Sequence, residues 1–208
     1  MPTETPEPEG RPRRGRPRST DSEQAILQAA LDLLAEGTEL GAISINSIAA
    51  RAGAGKNTVY RRWPNKDALL VDALASLNRP VPAATAPSTR ENMILLLSAL
   101  ITRLQDTRAT QIINGVMAAG LQYPQLRERY YADVIEPRRE AMRQVIRAGI
   151  ASGELRAGID PDTIGNMLSA PLITRSIEGA PPEGPAEELA AEMTDVILFG
   201  IAGAGRPD

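Results

Sequence analysis

The residues of this chain best suited to chemistry form a run of hydrogen-bond donors between positions 56 and 66. Lysine and arginine side chains bind phosphate groups, and asparagine side chains can also hydrogen-bond the edges of DNA bases. The run contains Lys56, Asn57, Thr58, Tyr60, Arg61, Arg62 and Lys66. This set predicts a surface that binds nucleic acid.

The amino-acid composition argues against an enzyme. The 208 residues include no cysteine and no histidine. The chain therefore lacks thiol nucleophiles, the imidazole acid/base group and the usual nitrogen and sulfur ligands of zinc. A glycine-rich phosphate loop of Walker spacing is also missing. Catalysis by carboxylates or a hydroxyl group stays open, but we expect a binding protein without metal or cofactor.

The net charge of -3 hides an asymmetry along the chain. Residues 11–66 contain ten basic and five acidic side chains, whereas residues 81–208 contain twelve basic and sixteen acidic ones. We therefore expect only the N-terminal third to meet a polyanion. No apolar secretion signal opens the chain, and no apolar run reaches membrane-spanning length. These features predict a soluble, cytoplasmic protein without a membrane partner.

The donor run lies within a predicted helix-turn-helix. Ser44 can cap a short helix that ends near Gly53, and a second short helix is expected from Lys56 to about Trp63. Small Ala49 permits the two helices to approach, Gly53 allows the turn, and Val59 fills the gap between the helices. With Val59 and Trp63 facing inward, the donors lie mainly on the outer side.

Helical patterns continue along the whole chain, and strand patterns are essentially missing. We predict an all-α fold with an arm at residues 1–19, a DNA-binding domain at 20–79 and a C-terminal regulatory and dimerisation domain at 88–203. Thr20 is the expected start of the first helix and Asn65 the cap of a linking fourth helix. Pro137 must kink or divide a long helix that begins at Pro124.

Residues 20–77 resemble the tetracycline-repressor (TetR) family of transcription regulators. The matching positions are Ser44, Ile45, Ile48, Ala49, Arg51, Ala52, Gly53, Thr58, Val59, Tyr60, Trp63, Lys66, Asp67, Ala68 and Leu69. The resemblance implies that the third helix enters the major groove of double-stranded DNA. It also implies a ligand-responsive regulator, most simply a repressor that binds a palindromic operator as a homodimer, although activation stays open.

The same resemblance assigns DNA contacts beyond the donor run. Ser44, Asn46 and Gly55 join the seven donors as expected contacts, although Gly55 stands where the family commonly has serine and so lacks a hydroxyl. Tyr60 has two interpretations, a core aromatic or a phosphate contact, and the motif favours the contact. The arginines of residues 11–18 form either a solubilising tail or an arm that follows the DNA.

The C-terminal domain is expected to hold a pocket for an unidentified small-molecule effector. The proposed lining residues are Leu97, Ile101, Met117, Leu121, Tyr130, Met142 and Ile146, each of which could equally be ordinary core. Arg103, Asn114, Arg143 and Asn166 are either buried anchors or surface, and the sequence favours surface.

The last two predicted helices are expected to pair with their copies across a two-fold axis. The expected interface residues are Leu168, Leu172, Leu189, Met193, Val196 and Ile197. Packing of these helices on their own domain is the alternative. Three other interpretations of the chain stay open: an architectural DNA-binding protein without a ligand, an enzyme carrying a helix-turn-helix, and a ligand carrier that has lost DNA binding.

Overall fold

The computed structural model describes residues 17–78 and 80–200, and every regular element within them is helical. The predicted all-α class is therefore confirmed. The helices are α1 (Pro17–Ala35), α2 (Ile45–Arg51), α3 (Lys56–Tyr60), α4 (Lys66–Ser76), α5 (Thr89–Gln105), α6 (Thr107–Ala118), α7 (Pro124–Tyr130), α8 (Glu136–Ser152), α9 (Pro161–Ile177) and α10 (Ala186–Phe199). Residues 1–16 of the predicted arm lie outside the described residues, as do residues 201–203 of the predicted C-terminal domain.

The first helix starts earlier than its sequence signal indicated. It begins at Pro17, so Thr20 lies inside the helix and the prediction that Thr20 starts it is wrong. Proline suits the first turn of a helix because its missing N–H has no partner there anyway. The end was predicted correctly, since α1 stops at Ala35 and Gly37 follows in the left-handed region at φ +76°.

Helices α1 to α4 pack around a core that also includes parts of the C-terminal helices. Ile26 of α1 and Leu69 of α4 are fully buried in this core. Ile113 of α6 and Leu126 and Tyr130 of α7 belong to the same core. The predicted domain boundary near residue 79 therefore divides the sequence into two parts, but residues from both parts share one apolar core.

The segment between α4 and α5 is irregular but is held in place locally. Asn92 Nδ2 donates to the carbonyl of Ala86 at 2.9 Å, and the backbone N–H of Ala86 donates to Asn92 Oδ1 at 2.9 Å. Ser88 and Glu91 form a capping box at the start of α5. These bonds fix the direction in which the chain enters the second core.

The long helix predicted from Pro124 is divided, as its internal proline required. A π-helical turn, Tyr131–Ile135, separates α7 from α8. Pro137 cannot donate to the carbonyl of Asp133, so the regular pattern is interrupted immediately before it. The side chain of Arg138 donates to the Val134 carbonyl at 2.6 Å and satisfies one acceptor of this turn.

A second core lies between α5, α8, α9 and α10. Met93, Leu97 and Leu168 are among its fully buried members. The approach of α5 to α8 depends on Gly149, because a Cβ atom there would lie 2.5 Å from Thr89 Oγ1. Asp160 caps α9 by accepting from the backbone N–H groups of Asp162 and Thr163.

Candidate nucleic-acid interface and effector cavity

The two short helices α2 and α3 are positioned by local hydrogen bonds and a glycine turn. The Ser44 hydroxyl accepts from the Ser47 N–H at 3.1 Å, and Ser47 Oγ accepts from the Ser44 N–H at 2.9 Å. Gly53 lies at φ +62°, a conformation that residues with a Cβ adopt only with strain. Ala49 and Val59 are buried between the helices, as their spacing predicted.

Helix α3 presents several of the predicted donors to solvent. Lys56, Asn57 and Arg61 are exposed, and Tyr60 is 54% exposed. Exposure of Tyr60 rules out its interpretation as a core aromatic. Thr58 is half-buried. The helix ends at Tyr60, so Arg61 and Arg62 lie in the turn that follows and not in the predicted longer helix.

Some of the remaining predicted DNA-contact residues are exposed, and others use their side chains for contacts within the protein. Asn46 and Gly55 are exposed, and Gly55 starts α3 without a side-chain cap. Ser44 is exposed, but its hydroxyl is used in the capping box. Arg62 lies 3.4 Å from Glu23 of α1 and is only 20% exposed, which corrects its predicted place on the outer side.

Lys66 is also engaged within the protein. Its Nζ donates to the Leu40 carbonyl at 2.8 Å and lies 5.7 Å from the ring centroid of Tyr123. The Tyr123 hydroxyl in turn lies 2.8 Å from the position that a Cβ of Gly41 would occupy. Lys66 therefore joins α4 to the loop before α2 and to the segment before α7. A DNA contact by Lys66 stays a prediction.

Sequence reasoning missed an exposed ion pair between α2 and the end of α1. Arg51 of α2 forms a bidentate ion pair with Glu36, which follows α1. The hydrogen bond with Arg51 holds the pKa of Glu36 below its ordinary value. The i to i+15 separation of the two residues gave no local signal for this pairing.

Trp63 connects the end of α3 to α4. The indole is 3% exposed, which confirms the prediction that Trp63 belongs to the core. Its Nε1–H donates to Asp72 Oδ2 at 2.7 Å. Asn65 caps α4 as predicted, by accepting from the Ala68 N–H at 2.8 Å. Trp63 therefore links the turn that follows α3 to α4.

A cavity of about 270 Å³ lies among α5, α6, α7, α8 and α9. Four of the predicted lining residues border it: Leu97, Met117, Tyr130 and Met142. Ile101 and Ile146 do not border it; both are fully buried elsewhere in the packing, which corrects their predicted place on the wall. The side chain of Leu121 lies outside the described part of the structure.

The cavity wall is more polar than the sequence indicated. Arg103, Asn114 and Arg143 border it and are half-buried, so the preference for surface positions was wrong for these three. Asn166 also borders the cavity but is exposed, as the sequence favoured. Sequence reasoning missed Arg138 and Ser176 as lining residues. Asn114 and Arg103 each lie three residues from an apolar lining residue, Met117 and Leu100. That helical spacing was the available signal.

The arginines of the wall are in different environments. Arg143 donates to Asp162 at 2.9 Å and to Glu140 at 2.7 Å, and also pairs with Glu136. Burial lowers the pKa of Arg103 and of Arg138 below the ordinary value, because burial penalises the charged form. Both guanidinium groups still remain charged at neutral pH.

The residues predicted for a dimer interface occupy two different environments. Leu168 and Leu172 are buried in the second core of their own chain, so they cannot form an interface in this arrangement, which corrects their assignment. Leu189, Met193 and Ile197 of α10 are half-buried, and Val196 is 43% exposed. Larger exposed apolar side chains lie nearby, namely Met167, Ile177 and Phe199.

Residues 17–78 and 80–200 contain neither a metal-binding cluster nor a membrane-spanning helix. No group of three or more acidic side chains there could hold a metal ion. None of the helices in the same ranges is both long and apolar enough to cross a membrane.

Comparison with known proteins gives consistent matches over both parts of the chain. Residues 26–73 match the model of bacterial regulatory proteins of the tetR family, and residues 83–197 match the tetracyclin repressor-like C-terminal domain. The HTH-type transcriptional regulator YdeS of Bacillus subtilis (strain 168) is 32% identical over 166 residues, which cover 78% of this chain and 82% of YdeS.

Solved structures share the fold. A TetR-family transcriptional regulator from Rhodococcus sp. has a TM-score of 0.66 at 20% identity, covering 86% of this chain and 99% of that protein. The transcriptional regulator FadR from Bacillus subtilis, solved in complex with stearoyl-CoA, has a TM-score of 0.60 at 16% identity, covering 86% of this chain and 99% of FadR.

Proposed function

Because the chain belongs to the TetR family of helix-turn-helix transcription regulators, we propose that it binds a palindromic operator as a homodimer and leaves it when an effector fills the cavity. One observation carries the ligand response. Tyr130 borders the cavity and also belongs to the core against which α4 packs. A ligand that moves Tyr130 therefore acts on α4. This helix supports α2 and α3, which together are called the reading head.

The exposed donors of α3 supply the DNA-reading surface. Lys56, Asn57, Tyr60 and Arg61 are exposed on one short segment, and the carboxylate of Glu23 is paired with the neighbouring Arg62. Arginine and lysine fix the protein on phosphates, while asparagine hydrogen-bonds base edges. A helix as short as α3 reads few base pairs, so specific binding requires a second copy about 34–36 Å away.

Exposed apolar side chains on α9 and α10 support the homodimer. Met167 and Ile177 of α9 are 54% and 66% exposed, and Phe199 of α10 is 75% exposed. Large apolar side chains gathered on one face mark interaction surfaces in soluble proteins. The proposed interface thus uses the outer faces of the two helices and leaves Leu168 and Leu172 inside each subunit.

The proposed response is a shift between two conformations of the dimer. The ligand changes operator affinity only by as much as its own affinity differs between the DNA-competent and DNA-free states. Movement of α7 is transmitted to α4, and through Trp63 to α3, which changes the separation of the two reading heads. The complex of FadR with stearoyl-CoA supports a small-molecule response in this fold. Operator occupancy that blocks transcription makes the protein a repressor.

Selection of binding sites from a random pool of double-stranded DNA tests the proposal at near-physiological salt. We expect enrichment of an inverted repeat whose half-sites are centred about 10 base pairs, or a multiple of that, apart. A selected fragment should bind a dimer more tightly than a scrambled fragment does. Equal, salt-sensitive binding to both fragments would contradict the proposal and would indicate an architectural DNA-binding protein.

A further inference from the structure

We infer that the cavity accepts an amphipathic organic anion, with its anionic group beside Arg103 and Arg138 and its apolar part among the side chains of α5, α8 and α9. The inference rests on the proposed role of the cavity as the effector site, and it specifies the chemical class of the effector. It follows from three features of the wall: its charge balance, its buried hydroxyl and its apolar side chains.

The wall carries an excess of positive charge. Arg103, Arg138, Arg139 and Arg143 border the cavity, and Asp162 is the only acid among the described lining residues. Arg143 is paired with Asp162 and also with Glu136 and Glu140, so its charge is already balanced. An anionic group in the cavity would therefore meet the positive charge of Arg103, Arg138 and Arg139, while the carboxylate of Asp162 is held by Arg143.

Arg103 is the best-placed partner for that anion. It lies on α5 between Leu100 and Leu104, and its guanidinium forms no ion pair or hydrogen bond with any side chain of the described residues. Burial lowers its pKa, which records the cost of holding a charge away from water. A carboxylate or phosphate bound to the guanidinium would offset this cost through charge-assisted hydrogen bonds.

A buried hydroxyl adds a second polar point to the wall. Ser176 Oγ is buried without a hydrogen-bond partner among the described residues, and Ser176 borders the cavity. The neighbouring carbonyl of Ser176 accepts from Asn114 Nδ2 at 3.3 Å, so the backbone group is already satisfied. Buried hydroxyls nearly always have partners, and a polar oxygen of the ligand would supply this one.

The remainder of the wall suits an apolar group. Leu97 and Leu100 of α5, Met142 of α8 and Ile173 of α9 provide it. The volume of about 270 Å³ is near the lower end of the range of roughly 300–1,000 Å³ typical of small-molecule pockets. A medium-chain or aromatic acid therefore fits the observations better than a large polar metabolite.

Calorimetric titration of the full-length protein without DNA tests the inference. The probes form two matched pairs, decanoate with 1-decanol and 1-naphthoate with 1-naphthol. We expect the anion of at least one pair to bind at least about tenfold more tightly than its neutral partner, as one charge-assisted hydrogen bond predicts. Equal affinities within both pairs, or no detectable binding of either anion, would overturn the inference.

Substitution of Arg103 identifies the group that selects the anion. Arg103→Met should weaken anion binding by about 10- to 100-fold and leave neutral binding unchanged. It should also raise the Tm of the ligand-free protein, because it removes a buried charge that lacks an ionic partner. Arg129→Met, at an exposed position outside the cavity, should change neither quantity. Unchanged anion affinity, or a lower Tm in the ligand-free variant, would overturn the assignment.

DNA binding is measured separately, so that the two proposals can fail independently. Anion binding that depends on Arg103 but leaves operator affinity unchanged supports the ligand class and contradicts the proposed ligand response. A second outcome is that the neutral probes release the protein from the operator, the anions do not, and Arg103→Met is released as readily as wild type. That outcome supports the proposed ligand response and overturns the ligand class.

Discussion

Asn78 Nδ2 lies 3.5 Å from the hydroxyl oxygen of Tyr130 and donates to it, so the end of α4 touches a residue of the cavity wall. The same Nδ2 donates to the Leu74 carbonyl at 2.9 Å, which anchors the amide to the last turn of α4. Tyr130 is 1% exposed and therefore cannot move without repacking its neighbours. This contact is one connection between the cavity and the segment that follows α4.

Tyr130→Phe should weaken the coupling between the cavity and the head. The substitution removes the hydroxyl that Asn78 reaches but keeps the ring in the core, so the free energy of unfolding should change by only about 1 kcal/mol. We expect unchanged operator affinity without ligand and an approximately fivefold smaller effect of a binding anion probe. The ratio of operator Kd values with and without decanoate or 1-naphthoate measures this.

Tyr131→Phe is the matched control for that experiment. Tyr131 also borders the cavity, but its side chain is 44% exposed, and the Arg127 guanidinium lies 5.8 Å from its ring centroid. Its loss of a hydroxyl should leave the ratio of operator affinities at the wild-type value. An unchanged ratio in Tyr130→Phe as well would contradict a role for the Asn78 contact.

Features that depend on local hydrogen bonds and backbone angles could be predicted from the sequence. Ser44, Asn65 and Asp160 cap helices because their side chains reach N–H groups two or three residues away. Gly53 marks a turn because a positive φ is a property of a single residue. Thr20 is the exception, since Pro17 offered an equally good earlier start to α1.

Which side of a helix faces the cavity could not be predicted in the same way. Helix α5 is buried along much of its surface, so its apolar pattern does not separate Leu97, on the wall, from Ile101, in the packing. The apolar face of α9 has the same ambiguity, because Leu168 serves its own core and Met167 is exposed. Only the arrangement of neighbouring helices resolves such choices.

Gly149→Ala should destabilise the protein by about 1–3 kcal/mol, as overpacking of a tight helix contact does. The new Cβ would lie 2.5 Å from Thr89 Oγ1 and 2.7 Å from Thr89 Cγ2, so α5 and α8 must separate. Gly115→Ala is the control, since Gly115 lies within α6 with nothing within 4 Å of a Cβ. It should stabilise the helix by about 0.5–1 kcal/mol. Urea unfolding measures the free energy of unfolding of both variants. A value for Gly149→Ala equal to that of wild type would contradict the tight contact.

Glu154→Gln should make the free energy of unfolding less dependent on pH in the acid range. The Glu154 carboxylate accepts from the Thr89 N–H at 2.8 Å at the start of α5, and this bond holds its pKa below the ordinary value. A depressed pKa adds stability above the unfolded value of about 4.3, and this contribution is lost as the pH falls through the lower folded value. The variant should therefore be less stable than wild type at pH 7 and converge with it in acid. A constant difference across the range would contradict this assignment.

Tyr60→Ala combined with Arg61→Ala should weaken operator binding without altering the fold. Both side chains are exposed on or just after α3, so their removal leaves no cavity in the core. Loss of two phosphate contacts should weaken binding by at least about tenfold and lower the slope of log K against log salt by about one for each contact that is ionic. Helical circular dichroism and Tm should stay at wild-type values, whereas Val59→Ala, in the core between α2 and α3, should lower Tm. Wild-type operator affinity in the double variant would show that α3 is not the reading helix.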